Sequence, residues 1–399
     1  MCVGVVSVCV RCAIDMASAA QEELDKELLE AVSRGDSLKV QELLRQGANK
    51  EAVSKQRYRP LHIACQKGSV ACLRVLLDAG ANVNATDEWD RTPLHMACKA
   101  WQADCVRALL TAGANVEAQN NCGRTPLHIA SKTESDACIR VLLNAGANKE
   151  AADDGGETPL HIACSYGHDD CAHTLVAAGA NVNAKTKCGL SPVHSACQLG
   201  STACVRMLLG VGADVEAVNA SGVTPLLFAC ERGRVDCVRS LLEAGANIEA
   251  QTFTWKLTPL YKACTGGNVA CVRALLEAAA NTDAVGSDGS TPLHTASWHG
   301  YEICVRALLE AGANIEATTM HGWTPLHSAC ACGHFASVRA LLAAGASMAA
   351  VTMDGRSALS LACQNGHNAC MRALLNAGPP RADGMLPRDD RVCEWLFGW

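Results

Sequence analysis

The feature that most constrains this chain is an internal repeat of 33 residues. A proline followed by leucine or valine recurs in nine copies, and Ala358 takes its place in a tenth. The step is 33 residues throughout, except for 34 between Pro225 and Pro259. The prolines are Pro60, Pro93, Pro126, Pro159, Pro192, Pro225, Pro259, Pro292 and Pro325. A unit of this length cannot bury its apolar face alone, so the sequence predicts a solenoid of stacked units.

The copy that begins at Thr92 shows how one unit is built. Thr92 is a good helix N-cap, and Pro93 suits the first helical position, where no amide donor is missed. After this short helix, a second helix is predicted to begin near Ala103 and to end at Gly113, which can take a left-handed conformation. An extended segment follows, with Gly123 at a turn that requires positive φ. Each unit is therefore predicted to be helix, helix, hairpin.

These residues resemble the ankyrin repeat, whose signature T-P-L-H-x-A appears as TPLHMA, TPLHIA, TPLHTA and TPLHSA, with endings such as LLTAGANVEA. The resemblance covers roughly residues 24–378. It implies an all-α solenoid of about eleven helix-turn-helix units with projecting β-hairpin loops, curved into a superhelix. It also implies a binding scaffold without common catalytic chemistry, whose partners occupy the concave surface made by hairpin tips and first helices.

The two ends of the chain differ from the array. We expect residues 1–23 to be an unstructured or non-native leader, with a translation start at Met16 or a secretion signal as the alternatives. Residues 24–56 are predicted to be an N-cap repeat with charged outer positions, and residues 346–378 the last repeat. Residues 379–399 form a Trp-rich tail that either packs over the last repeat or acts as a docking motif.

Most of the 24 cysteines fall into two columns, one in the first helix and one near the start of the second. Serine takes the slot at Ser131, Ser297 and Ser337, so the position requires a small side chain rather than a thiol. Packed helices lie about 8–10 Å apart, whereas a disulfide needs Cα atoms within roughly 7 Å. We therefore expect no disulfides between equivalent cysteines of adjacent units, while pairs within one unit stay open. So many free thiols predict a reducing compartment, the cytosol or the nucleus.

Several classes of function are disfavoured by the sequence. A net charge of −6 argues against nucleic acid as the main ligand, because phosphate binding needs a positive field. We find no phosphate loop, nucleophile elbow or isolated carboxylate pair, and the histidines of the TPLH motif indicate a repeated structural hydrogen bond. We therefore expect a monomer that is not an enzyme, with no catalytic, metal or cofactor-binding residues, no cofactor and no membrane span.

An arginine recurs on the predicted second helix, often with an acidic residue four positions later. Arg239 precedes Glu243, and Arg306 precedes Glu310. Because residues at i and i+4 are neighbours on a helix surface, we expect these side chains to pair on the outer face.

Aromatic residues concentrate where the repeat pattern is least regular. In this stretch Leu227 and Tyr261 replace the motif histidine, and the segment QTFTWKLTPL carries an extra residue. Drift in a long array is the competing explanation, but Trp and Tyr are typical of binding hot spots. The candidate partner-binding residues are Phe228, Phe253, Trp255, Tyr261, Trp298, His299, Tyr301, Trp323 and Phe335.

The sequence thus predicts a non-catalytic protein-protein interaction scaffold or adaptor that binds a partner segment on the concave face, with Trp255, Trp298 and Trp323 as anchors. The alternative is a substrate-recognition subunit of a ubiquitin ligase or other regulatory enzyme complex, with the tail as docking element. The tail does not resemble the box of ankyrin proteins that recruit cullin ligases, which favours the first hypothesis.

Overall fold

The computed structural model describes residues 2–55 and 57–377, with side chains from residue 18 onward. This part of the chain contains 22 helices, two in each of eleven repeats. The predicted all-helical solenoid of about eleven units is therefore confirmed. The predicted tail falls outside the described residues.

The chain divides into two compact units, Met1–Lys187 and Cys188–Trp399, here called unit 1 and unit 2. Unit 1 holds α1 (Cys2–Arg34), α2 (Ser37–Arg45), α3 (Pro60–Lys67), α4 (Val70–Asp78), α5 (Pro93–Lys99), α6 (Ala103–Thr111), α7 (Pro126–Lys132), α8 (Asp136–Asn144), α9 (Pro159–Tyr166) and α10 (Asp169–Ala177). Unit 2 holds α11 (Pro192–Leu199), α12 (Thr202–Gly210), α13 (Pro225–Arg232), α14 (Val235–Glu243), α15 (Pro259–Thr265), α16 (Val269–Glu277), α17 (Pro292–His299), α18 (Glu302–Glu310), α19 (Pro325–Cys332), α20 (Phe335–Ala343), α21 (Ala358–Gln364) and α22 (Asn368–Ala377).

In the repeats that carry the TPLH motif or its SPVH variant, the first helix begins at the repeat proline because the preceding residue and the motif histidine cap it together. The Thr92 amide donates to His95 Nδ1 at 3.1 Å, so Nδ1 is an acceptor and Nε2 carries the proton. His95 Nε2 lies 2.9 Å from the carbonyl oxygen of Arg124 in the next repeat, to which it donates. This is the structural hydrogen bond that the motif predicts.

A second set of hydrogen bonds joins adjacent repeats after the second helix. The backbone amide of each AGAN-type asparagine donates to a side-chain oxygen about one repeat earlier in the chain. Asn82 donates to Glu51 Oε1 at 2.7 Å, and in unit 2 Asn247 donates to Glu216 Oε1 at 2.7 Å. Stacking of repeats is thus reinforced by both the histidine and the asparagine positions.

The segments between repeats are tight turns rather than strands. In the copy that follows α6, the Asn120 amide donates to the Arg124 carbonyl at 3.0 Å, and Gly123 has φ +71°. A Cβ at Gly123 would lie 2.9 Å from the backbone nitrogen of Asp154, so the next hairpin requires glycine there. The described residues contain one β-bridge, between Val351 and Ser357, because these loops are too short for a ladder.

The two cysteine columns are part of the core. Cys98 on α5 and Cys105 on α6 are fully buried, and burial raises the pKa of the Cys98 thiol well above its ordinary value. Serine fits the same slot, as predicted: the Ser131 hydroxyl donates to the Leu127 carbonyl at 2.8 Å. The position therefore accommodates any small side chain that packs as a minor hydrophobe.

The structure corrects two expectations. Residues 2–23 do not form an unstructured leader but belong to α1, which extends as one helix to Arg34 because neither glycine nor proline interrupts residues 5–34. The arginines of the second helices also do not pair with the residue four positions later, contrary to expectation. Arg306 instead contacts Glu302 at 2.7 Å, and Arg239 contacts Glu277 at 3.3 Å. For Arg306 the reason is that side chains on a helix point toward its N-terminus, which favours the partner one turn earlier.

None of the helices in the described ranges is both long and apolar enough to span a membrane.

Candidate partner-binding groove

Two positions of the repeat decide the character of the surface beside the first helices. The hairpin position lies two residues before the repeat proline, and the helix position lies three residues after it. In unit 1 the hairpin positions are Tyr58, Arg91, Arg124 and Glu157, and the helix positions are Ile63, Met96, Ile129 and Ile162. In unit 2 the hairpin positions are Leu190, Val223, Leu257, Ser290, Trp323 and Arg356, and the helix positions are Ser195, Phe228, Lys262, Thr295, Ser328 and Leu361.

In unit 1 the arginines at the hairpin positions form ion pairs and hydrogen bonds with neighbouring hairpin residues. Arg91 contacts Asp87 at 2.7 Å and donates to the Tyr58 hydroxyl at 3.1 Å. Its guanidinium also lies 4.3 Å from the ring centroid of Trp89. The Asp87 side chain is 0% exposed, and although burial raises its pKa, the hydrogen bonds from Arg91 outweigh that effect and lower it. Arg91 is therefore a guanidinium held between two aromatic rings and a carboxylate.

The next hairpin of unit 1 also pairs its arginine, but with carboxylates of the hairpin that follows. Arg124 contacts Asp153 at 2.9 Å and Glu157 at 3.1 Å. Because both arginines at the hairpin positions are paired, these two positions offer no free guanidinium to a partner.

In unit 2 the same strip opens into a groove of about 480 Å³. The groove is lined by Leu257, Tyr261, Lys262, Thr265, Asp288, Ser290, His294, Thr295, Trp298, His299, Thr319, His321, Trp323 and Ser328. The ring centroids of Trp298 and Trp323 are 6.0 Å apart and their planes are inclined by 49°. Trp298 is 47% exposed, so a large apolar surface faces the groove.

Small side chains at the helix positions create this space. Thr295 on α17 and Ser328 on α19 are buried in the groove floor, where the equivalent positions of unit 1 carry isoleucine or methionine. Met96, for example, is 1% exposed and fills its site. Substituting a long aliphatic side chain by serine leaves the volume open to solvent or to a ligand.

Tyr261, which replaces the motif histidine on α15, organises one wall. Its hydroxyl lies 2.9 Å from the Ser290 hydroxyl, and Ser290 Oγ lies 2.5 Å from Asp288 Oδ1. Because a carboxylate can only accept, Ser290 donates to Asp288, and Tyr261 must donate to Ser290. Partial burial alone would raise the pKa of Asp288, but the hydrogen bonds from Ser290 hold it below its ordinary value, so the groove carries a fixed negative charge.

The motif histidine of α17 holds the opposite wall. His294 Nδ1 accepts from the Thr291 amide at 3.1 Å, so Nε2 donates to the Trp323 carbonyl at 2.8 Å. Burial lowers the pKa of His294, which keeps the imidazole neutral at pH 7. The position of Trp323 is therefore fixed by the same bond that joins repeats elsewhere in the array.

The groove brings together four of the nine predicted binding residues, Tyr261, Trp298, His299 and Trp323. The other five lie elsewhere and serve different contacts. Phe228 packs against Val223, Leu227 and Ala250, with the Arg232 guanidinium 5.2 Å from its ring centroid.

Four predicted residues lie on the hairpin edge or on the second helices. Phe253 and Trp255 are exposed on a hairpin tip, and Tyr301 begins the α18 region and covers Gly267. Phe335 is the first residue of α20 and lines a separate depression between α20 and α22 rather than the groove.

The sequence prediction missed Asp288, Ser290, Thr295 and Ser328, because each is ordinary when considered alone. For Thr295 and Ser328 a signal exists in the comparison of equivalent positions across copies, which shows isoleucine or methionine of unit 1 replaced by threonine or serine in the stretch that gains tryptophan. For Asp288 and Ser290 the equivalent positions of unit 1 show no such pattern. In the described part of the chain no group of three or more His, Cys, Asp or Glu side chains is placed to hold a metal ion.

Comparisons with known proteins agree with this architecture. A crystal structure of the human ASB11 ankyrin repeat domain is similar with a TM-score of 0.53 and 35% sequence identity, over 57% of this chain and 100% of that chain. It is one of 587 matching chains, and so widespread a fold does not by itself specify a partner. A comparison with curated protein sequences gives no match.

A family model described as ankyrin repeats in three copies matches residues 28–120, 102–186, 178–252, 250–319 and 318–384. Together these ranges include every helix pair except the start of α1. The chain therefore belongs to the ankyrin-repeat proteins.

Proposed function

We propose that this protein is a non-catalytic scaffold or adaptor that holds an extended segment of a partner protein in the groove of unit 2. Ankyrin repeats generally mediate protein-protein interaction and are typically non-enzymatic. The observation that carries the proposal is the exposed Trp298 beside Trp323 over a floor of small side chains, where the equivalent helix positions of unit 1 carry isoleucine or methionine.

The shape of the groove supports an extended segment as the ligand. It is contributed by three consecutive first helices and the hairpins between them, so its length follows the stacking direction. Aromatic rings at its centre supply a large apolar contact area, and the Thr319 side chain adds a hydroxyl to the groove lining.

The test fills the groove without removing its aromatic residues. Ser328→Met places at α19 the side chain that α5 carries at Met96. Ser195→Met makes the same change at the helix position of α11, outside the groove, and is the matched control. Partners are captured from a cell lysate under reducing conditions on the full chain and its variants, and quantified.

We expect Ser328→Met and Trp298→Ala to lose the same partner, while Ser195→Met retains it. Thr295→Ile introduces the side chain that Ile63 and Ile129 supply at the helix position in unit 1, and it provides a second filled groove should Ser328→Met prove unstable. If both filled variants keep every partner of the intact chain, the groove is not the binding site and the proposal fails.

The ubiquitin-ligase alternative assigns a separate role to the tail. Trp395→Ala with Trp399→Ala in the full chain should leave the groove-dependent partner bound. Loss of ligase subunits in that variant alone would favour the alternative.

We further propose that the scaffold works as a monomer in the cytosol or nucleus. Its columns of free thiols support a reducing compartment, because disulfides form and persist in oxidising compartments. Sedimentation of the purified chain and fractionation of the source cell test the two statements.

A further inference from the structure

We infer that the groove selects partner segments carrying an arginine, whose guanidinium enters beside Trp298 and Trp323 and pairs with Asp288. This inference rests on the proposed function and names the chemistry of the ligand.

Unit 1 contains an internal precedent for this arrangement. The Arg91 guanidinium lies 4.3 Å from the Trp89 centroid and 5.8 Å from the Tyr58 centroid, and it pairs with Asp87 at 2.7 Å. In unit 2 the groove also holds aromatic rings and a carboxylate, but from other repeat positions: Trp323 stands at the hairpin position that Arg91 has in unit 1, and Asp288 stands where Trp89 does. The groove thus has the components of the Arg91 site without its cation.

Asp288 has acceptor capacity left for such a cation. Its Oδ1 accepts from both the amide and the hydroxyl of Ser290, at 3.0 and 2.5 Å. Among the described residues it forms no ion pair, and its Oδ2 bonds to no other residue. A guanidinium pairs well with a carboxylate that is held in a fixed orientation, and Tyr261 and Ser290 provide that orientation.

The cations near the groove are already engaged. Lys262 contacts Glu231 at 3.3 Å, and Arg356 contacts Asp354 at 2.5 Å. Arg356 also lies 5.9 Å from the Trp323 centroid and is not among the groove-lining residues. Burial lowers the pKa values of His294 and His299, so neither supplies a cation for Asp288 at neutral pH.

Charge and ring geometry therefore favour a cationic ligand over a purely apolar one. A cation over a tryptophan face is attracted by the negative charge of the ring face, and more strongly where the cation is desolvated. Arginine is favoured over lysine because its planar group can stack on one ring while it bonds the carboxylate, as Arg91 does in unit 1.

The experiment selects ligands without assuming their sequence. A random-peptide phage library is selected on the full chain, and binders that persist on Ser328→Met are removed. The selected peptide is then synthesised with its arginine unchanged or replaced by citrulline, lysine or trimethyl-lysine. Citrulline keeps the shape of arginine and removes its charge. Affinities are measured by fluorescence anisotropy for the intact chain, Asp288→Asn and Asp154→Asn.

We expect arginine to be enriched at one position of the selected peptides. Citrulline should weaken binding to the intact chain by about 10-fold or more, since hydrogen bonds to charged groups contribute about 1.5–3 kcal/mol. On Asp288→Asn the same replacement should change affinity by less than about 3-fold, because the pair is already broken. Asp154→Asn alters an exposed hairpin carboxylate in unit 1 and should behave as the intact chain does.

The outcomes separate this inference from the proposed function. Peptides that need the open groove but show no arginine, or that bind equally well with citrulline, overturn the arginine and leave the groove as a binding site. Preference for lysine or trimethyl-lysine likewise overturns it. If no binder remains after those that also bind Ser328→Met are removed, both proposals fail. The citrulline comparison needs only the intact chain, so it decides the matter even if Asp288→Asn does not fold.

Discussion

Unit 1 and unit 2 share one repeat frame but differ at two positions of that repeat. In unit 1 arginines at the hairpin position pair with buried aspartates above isoleucine and methionine, whereas in unit 2 the aromatic hairpin residue Trp323 stands above Thr295 and Ser328. In both units first helices begin at the repeat proline, and the asparagine amides donate to a side chain of the preceding repeat. The difference teaches that the repeat signature specifies stacking, while the hairpin and helix positions specify what the surface can bind.

The largest expected effect on stability comes from removing the Arg91 guanidinium in unit 1. Arg91→Met leaves Asp87, whose side chain is 0% exposed, without its partner. Breaking a buried pair in this way typically destabilises by about 3–5 kcal/mol. Urea denaturation followed by circular dichroism should show the loss, while Asp288→Asn in unit 2 should change stability by less than about 0.5 kcal/mol. Equal effects of the two substitutions would contradict the contrast between a paired and an open strip.

The second-largest effect is expected on acidification, which should lower the folding stability of unit 1. Burial lowers the pKa of His95 to about 4, against 6.5 for the solvated group, so between these values the unfolded chain binds more protons than the folded one. The stability is complete above pH 6.5 and is lost as the pH falls toward 4. At pH 5 His95 alone should contribute a loss of about 2 kcal/mol.

Hydrogen exchange at pH 7 and pH 5, corrected for intrinsic rates, resolves this effect by repeat. The repeats that carry Leu227 and Tyr261 have no motif histidine and should lose less protection than the repeat that contains His95. A uniform loss along the chain would show that another group controls the acid response.

A smaller effect is expected when the histidine motif is restored in unit 2. In Tyr261→His the imidazole can donate to the Ser290 carbonyl, as His294 does to Trp323, while the bond to the Ser290 hydroxyl is lost. The exchange of one hydrogen bond for another should change the unfolding free energy by less than about 1 kcal/mol. Tyr261→Phe, which removes only the hydroxyl, is the control for ring packing. Loss of several kcal/mol in Tyr261→His would mean that the tyrosine supports the fold and not the groove.

The smallest effect is expected at the hairpin tip. Phe253 is 66% exposed and lies outside the groove, so Phe253→Ala should alter stability by about 0.5 kcal/mol or less and leave the groove-dependent partner bound. Thermal unfolding and the lysate capture check both statements. A lost partner would extend the binding surface to the hairpin edge.

The helices were predictable because each repeat contains its own start and stop signals. Thr92, Pro93 and Gly113 act within a few residues, and α6 begins at Ala103 as expected. The N-terminal part of α1 was not predicted, because it has no repeat signature and its apolar sequence suggested a leader.

The groove was predictable only in part. Trp298 and Trp323 stand out in a chain with 4% aromatic residues. The role of Ser328 becomes clear only when it is compared with Met96 at the equivalent position, and that of Asp288 only from its hydrogen-bonded chain with Ser290 and Tyr261. Such roles depend on which side chains the fold brings together. Phe335 shows the converse, since its place on a second helix directs it to a different depression from the groove.

The extra residue in the hairpin between α14 and α15 is absorbed entirely by the loop. Lys256 takes φ +51°, and the Leu257 amide reaches Thr252 Oγ1 at 3.0 Å across five positions. The bond from Asn281 to Glu249 keeps its 2.7 Å length although 32 residues now separate the two. An engineer could therefore insert an epitope or a fluorophore-labelling sequence between Thr254 and Trp255, and obtain a reporter close in sequence to the groove without altering the helices that form it.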